Sequence, residues 1–200
     1  MDPFIKEIQH INNVDDAINK LKTQTDISPK LYEIINFIIE AHEGQYRKSG
    51  EPYCVHPILV ACITAHFSKD EAIIATALLH DVVEDTYHSL GYIKERWGSD
   101  IAHMVDGLTK IVEIREHEFI PSNETSDSRI ISSALTFRKM LIASIDDVRV
   151  LIVKLCDRLH NMLTLQVLPT NKQRRIAEET LVVYVPIANR LGISNLKNAL

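Results

Sequence analysis

Glycine is scarce in this chain. Six glycines occur in 200 residues, at positions 44, 50, 91, 98, 107 and 192. No two are spaced for a glycine-rich phosphate loop, which excludes P-loop and dinucleotide-fold readings. A basic surplus is also missing: 22 Lys and Arg face 27 Asp and Glu, for a net charge of −5. That argues against direct nucleic-acid binding but leaves room for a local basic pocket. Three cysteines (54, 62, 156) form an odd set without CxxC spacing. They exclude a disulfide framework and suit a reducing, cytoplasmic setting. No apolar run approaches the roughly 18–20 residues of a membrane span. The opening Met1-Asp2-Pro3-Phe4 lacks the pattern of a signal peptide.

Alternating strand-like runs are nearly absent too, so the expected fold is all-α. Apolar residues make up 46 % of the chain, enough for one sizeable core. Ser28-Pro29 reads as a helix cap followed by proline in the first turn, and Leu31, Ile34, Ile35 and Ile38 then repeat at helical spacing until Gly44. Ser68-Lys69-Asp70-Glu71 reads as a capping box opening an apolar helix over 72–85. Short helices are predicted over 89–98 and 99–107, each from a serine to a glycine. Residues 112–128, polar and aperiodic, read as a mobile internal loop. Further helices are predicted over 130–144, 147–165 and 171–191, with Pro186 kinking or ending the last one early. Ser194-Asn195 opens a capped helix that the chain leaves at Leu200, which suggests a fragment of a longer protein.

Three segments could carry chemistry. In His80-Asp81-Val82-Val83-Glu84-Asp85, a continuous helix would set an imidazole and three carboxylates within about 140° of arc. Acids so packed repel unless a cation or proton compensates. A helix end emerging into solvent would explain Glu84 and Asp85, but not His80-Asp81 directly after an apolar run. In 150–165, Lys154, Asp157, Arg158 and Asn161 fall on one face of an otherwise apolar helix. A self-neutralising stripe and an anion-binding face with Asp157 as a ligand both fit. In 47–57, Arg47-Lys48-Ser49-Gly50 is a cationic loop, and Pro57 suits the first position of a helix. It would bias His56 away from helical angles, towards a cap. His10, His66, His88, His103 and His117 read as structural or exposed, His42 as packed, and His160 as a residue bordering the Asp157 face. Cys54 and Cys62 read as small buried groups, and Cys156 as pointing away from Asp157.

The ordered set His56, His80-Asp81 and Asp157 resembles the HD superfamily of metal-dependent phosphohydrolases. Tyr46-Arg47-Lys48-Ser49-Gly50-Glu51-Pro52-Tyr53, His80-Asp81-Val82-Val83-Glu84-Asp85-Thr86, Thr136-Phe137-Arg138-Lys139-Met140-Leu141, 154–162 and 174–192 together resemble the hydrolase domain of RelA/SpoT-type alarmone enzymes. The resemblance implies an HD-type helical bundle over 1–200 that removes the 3′-pyrophosphate of guanosine tetra- and pentaphosphate, with synthetase and regulatory domains attached in the parent protein. It implies manganese, with zinc or iron also chemically suited, held by His56, His80, Asp81 and Asp157. Glu84 and Asp85 would be catalytic. Arg47, Lys48, Ser49, Asn161, Thr164, Lys154 and Arg158 would bind substrate. Leu163 departs from the arginine usual in the family. Two other readings stay open: a different HD phosphohydrolase acting on nucleotides, and an idle guanine-nucleotide-binding regulatory module.

Overall fold

The computed structural model describes residues 3–117 and 126–200, and among them every extended element is a helix. In chain order these are α1 (Pro3–Ile8), α2 (Val14–Lys22), α3 (Pro29–Ala41), α4 (Val55–Phe67), α5 (Glu71–Leu79), α6 (Val82–Asp85), α7 (Leu90–Trp97), α8 (Ser99–His117), α9 (Ser126–Asp146) and α10 (Arg149–Leu163). After a 3-10 turn at Leu165–Val167 come α11 (Thr170–Glu179), a π-helical turn (Thr180–Tyr184), α12 (Val185–Arg190) and α13 (Ser194–Ala199). The all-α reading therefore holds. No described helix is long and apolar enough to cross a membrane.

Apolarity decides which helices lie inside. The run from Val55 through Ala65 of α4 is buried on every side, as is 73–79 of α5. A helix apolar all round has to be central. These two pack against each other, with α10 and α2 on α4 and with α3, α8 and α10 on α5. Side-chain caps close the helix starts. The Ser28 hydroxyl accepts from Leu31 N at 3.2 Å, and the Ser89 hydroxyl accepts from Tyr92 N at 3.3 Å. Asp70, rather than Ser68, caps α5, accepting from Ala72 N at 2.8 Å.

Several expectations are corrected. The helix predicted over 72–85 breaks after Leu79: His80 ends α5 and Asp81 stands at the start of α6. The rotation of 100° per residue therefore does not relate His80 to Glu84 and Asp85. Helix α4 begins at Val55, so His56 is helical; Pro57 falls in the first turn, where its missing N–H is not needed. Gly107 does not end its helix, which runs on to His117. An added Cβ at Gly107 would stand 2.9 Å from Val150 Cγ2, so the glycine serves close approach of α8 to α10. Of the loop expected over 112–128, residues 112–117 and 126–128 belong to α8 and α9, and 118–125 lie outside the described residues. Pro186 does not end its helical stretch, which continues to Arg190. A π turn precedes it, and Pro186 then lies in the first turn of α12.

Candidate metal centre

Two helix ends and one helix middle meet at the site. His56 comes from the first turn of α4, His80 and Asp81 from the break between α5 and α6, and Asp157 from the middle of α10. His56 Nε2 lies 3.3 Å from Asp157 Oδ1 and 3.5 Å from Asp81 Oδ2. His80 Nε2 lies 3.0 Å from Asp81 Oδ1 and 3.9 Å from Asp157 Oδ1. One ligand atom each from His56, His80 and Asp157 falls within 4.8 Å of the others, all three residues being buried. The break at His80 makes this possible, because it lets successive residues turn their side chains to the same point.

The ring of His80 is oriented from behind. Its Nδ1 donates to the Ala77 carbonyl oxygen at 2.8 Å, which leaves Nε2 directed at the carboxylates. That Nε2 is buried and makes no hydrogen bond. His42 Nε2 and Trp97 Nε1 are likewise buried without partners, but only the His80 nitrogen faces two acids. An unpaired buried nitrogen opposite two carboxylates is a set of donors lacking a cation. Two imidazoles with carboxylate oxygens suit a divalent ion of the manganese, iron or zinc type. The electrostatics of the centre run the same way. Burial opposes a charge on His80, yet Asp81 and Asp157 outweigh it and raise the ring to about 9. His56 goes the other way, pushed down to about 4 by burial. Burial also opposes the Asp157 charge, but Lys154 and the imidazoles hold its carboxyl well below the usual range.

Around this centre lies a polar rim. Asp157 Oδ2 accepts from Lys154 Nζ at 2.9 Å, and Oδ1 accepts from Asn161 Nδ2 at 2.6 Å. Asn161 Oδ1 in turn accepts from Arg47 Nη2 at 2.9 Å. The cationic loop is thereby tied to the centre. Its shape comes from a tight turn: Gly50 adopts φ +98°, its N–H reaches Arg47 O at 2.9 Å, and Arg47 N–H reaches Glu51 O at 3.0 Å. Lys48 and Ser49 stand exposed at the tip, the Ser49 hydroxyl donating to Glu51 at 2.7 Å. Glu84 is exposed at the edge of the cluster, and partial desolvation pushes its carboxyl up to about 7 against the pull of Lys154. Thr164 closes α10, with its hydroxyl 3.4 Å from the carbonyl oxygens of His160 and Asn161. Arg158 is turned to other work. It donates to Glu179 Oε2 at 2.8 Å and to the Tyr184 hydroxyl at 2.7 Å. Leu163 is buried with the core, so the family's arginine position carries an apolar contact here.

Two residues at the site were not singled out as site residues from the sequence. The Tyr53 hydroxyl lies 2.9 Å from Asp81 Oδ2 and 2.6 Å from Asp85 Oδ2, linking the two acids. His160 places its Nδ1 2.9 Å from that of His56. Tyr53 stands three residues before His56, and His160 three after Asp157. That spacing was the available signal.

Residues 35–194 match the HD domain family. The chain belongs to that family. A "GTP pyrophosphokinase" of Myxococcus xanthus is 48 % identical over 175 residues, 88 % of this chain and 22 % of that protein. A "guanosine-3′,5′-bis(diphosphate) 3′-pyrophosphohydrolase" of Haemophilus influenzae is 45 % identical over 161 residues, covering 80 % of this chain and 22 % of that protein. The "bifunctional (p)ppGpp synthase/hydrolase SpoT" of Escherichia coli is 44 % identical over the same length, again 80 % of this chain and 22 % of that protein. The chain thus spans about a fifth of the length of these curated relatives. A solved structure described as "a metazoan ortholog of SpoT hydrolyzes ppGpp and plays a role in starvation responses" matches with a TM-score of 0.56 at 28 % identity, covering 86 % of this chain and 88 % of that one.

Proposed function

We propose that this HD domain is a manganese-dependent hydrolase that removes the 3′-pyrophosphate of guanosine tetra- and pentaphosphate, leaving GDP or GTP and pyrophosphate. The carrying observation is the orphaned Nε2 of His80, buried opposite Asp81 and Asp157 and beside His56. The names of the relatives from Haemophilus influenzae, a 3′-pyrophosphohydrolase, and Escherichia coli, a (p)ppGpp synthase/hydrolase, support the substrate.

His56, His80, Asp81 and Asp157 would hold the ion. When bound, it would polarise the phosphoryl oxygen and lower the pKa of a water. Glu84 takes the proton from the attacking water, and its pKa near 7 suits a base at neutral pH. The bond that breaks joins phosphorus to the ribose 3′-oxygen, and the proton that Glu84 has taken is delivered to that oxygen, with Asp85 assisting by hydrogen bonding or by relaying it. Tyr53 keeps Asp85 and Asp81 in register through its hydroxyl. Arg47 offers a planar cation for the purine or a phosphate, and Asn161 fixes its direction. Lys48 and Ser49 extend that contact, and Thr164 lies one turn beyond His160 towards the nucleoside. Lys154 is already held by Asp157 and serves a phosphate as a second partner. The Arg158 contacts with Glu179 and Tyr184 favour a supporting part over substrate contact. Three free, buried thiols fit a cytoplasmic setting, and a (p)ppGpp hydrolase would serve the stringent response.

The test is incubation of the purified chain with guanosine tetraphosphate and manganese, with products resolved by anion exchange. The expected result is GDP and pyrophosphate in equal amounts, abolished by chelation. Unchanged nucleotide in the presence of bound manganese would overturn the assignment.

A further inference from the structure

The two imidazoles of the centre are held from behind in different ways. A histidine that binds a cation through Nε2 has to carry its proton on Nδ1. For His80 the Ala77 carbonyl oxygen, 2.8 Å from Nδ1, settles the matter, because a carbonyl can only accept. His56 has no such carbonyl. Its Nδ1 faces Nδ1 of His160 at 2.9 Å, both rings being buried. Between two nitrogens at that distance, one donates and the other accepts.

Two arrangements satisfy the pair. In one, His160 Nδ1–H donates to His56, and His56 keeps its proton on Nε2, directed at Asp157 Oδ1 3.3 Å away. In the other, His56 Nδ1–H donates to His160, and the Nε2 lone pair of His56 is free for a cation. Only the second is competent to bind an ion. The ring planes, tilted by 52° with centroids 4.8 Å apart, place the rings side to side rather than stacked, so the contact is made through the nitrogens.

We infer that His160 is a positioning residue of the metal centre, accepting the Nδ1 proton of His56 while keeping its own proton on Nε2. This rests on the metal-site reading above. His56 is then held by a neutral side chain that accepts in one tautomer only, whereas His80 is held by the backbone. Partners of this kind commonly govern metal affinity by about 10–100-fold.

The test compares the wild-type chain with His160→Phe, which keeps the ring volume and loses the acceptor, and with His160→Asn, whose amide oxygen can stand in for Nδ1. Manganese affinity is measured by calorimetry. The tautomers are read from long-range 1H–15N correlations in the zinc-loaded, diamagnetic protein. His56 is expected to be protonated on Nδ1 and His160 on Nε2. His160→Phe should weaken manganese binding by about 10–100-fold, and His160→Asn should recover most of it. Binding by His160→Phe as tight as wild type, or a proton on His160 Nδ1 in the loaded protein, would overturn the inference while leaving the metal site standing. Failure of the wild type to bind any divalent ion would overturn both. The wild-type tautomer measurement decides the question even where His160→Phe does not fold.

Discussion

Helix α10 contributes neighbouring residues to two buried polar regions, and they are built to opposite ends. Asp157 enters a cluster of imidazoles and carboxylates in which the buried His80 Nε2 makes no hydrogen bond. Arg158, the next residue, enters a cluster in which its charge is met. Glu179 accepts from it, the Tyr184 ring lies 3.9 Å beneath its guanidinium carbon, and Thr136 of α9 donates to the other oxygen of Glu179 at 2.8 Å. Burial opposes the Arg158 charge, but Tyr184 and Glu179 more than compensate and raise its pKa. A buried polar cluster complete within the protein holds elements together. One left short of a cation awaits a ligand. The Arg158 cluster ties α9, α10, α11 and the π turn into one body. The Asp157 cluster uses that rigidity to keep its donors aligned.

The comparison can be broken from either side. The largest effect is expected for Asp157→Ala, which removes the carboxylate that both imidazoles face and that Lys154 donates to. Manganese binding should vanish from calorimetry and turnover should fall to background, while circular dichroism stays helical. Glu84→Gln comes next. It should leave manganese affinity within a few-fold of wild type and lower kcat by about 10²–10⁴-fold, the usual contribution of a general base. Loss of metal with Glu84→Gln and retention with Asp157→Ala would reverse the roles assigned to them. On the structural side, Arg158→Met removes the guanidinium that Glu179 and Tyr184 hold in the core and should cost about 3–5 kcal/mol in denaturant unfolding. The double change Arg158→Met with Glu179→Met should regain much of that. The smallest effect is expected for Gly107→Ala. Helix propensity favours alanine by about 1 kcal/mol, but the new methyl would meet Val150 at 2.9 Å. Overpacking costs about 1–3 kcal/mol, so the variant should be less stable by a small margin, with metal binding intact. A stabilised Gly107→Ala would show that α8 and α10 can part without cost.

Much of the fold was legible because its signals are local. Ser28 and Ser89 cap where their sequence position predicts, and Gly98 ends α7 with φ +99°. The apolar runs of α4 and α5 are continuous enough to demand burial. What escaped local reading was set by packing. No glycine or proline marks the break between His80 and Asp81. It brings both side chains to face His56 and Asp157. Gly107 passes for a helix end until Val150 of another helix is seen against it. The π turn before Pro186 places Tyr184 on Arg158, a contact 26 residues apart in the chain. At the site, the members with acids or imidazoles in recognisable strings stood out: His56, His80, Asp81, Glu84, Asp85 and Asp157. Tyr53 and His160 were less visible, because their parts depend on which nitrogen or oxygen they face, and spacing alone does not report that.

The central claim is that His56, His80, Asp81 and Asp157 form one divalent-metal centre. Its most direct test is a manganese titration of the chelator-stripped chain, followed by electron paramagnetic resonance of the free ion. One ion should bind per wild-type chain, and none should bind at the same concentration to His80→Ala. Equal binding by His80→Ala, or no binding by the wild type, would contradict the account.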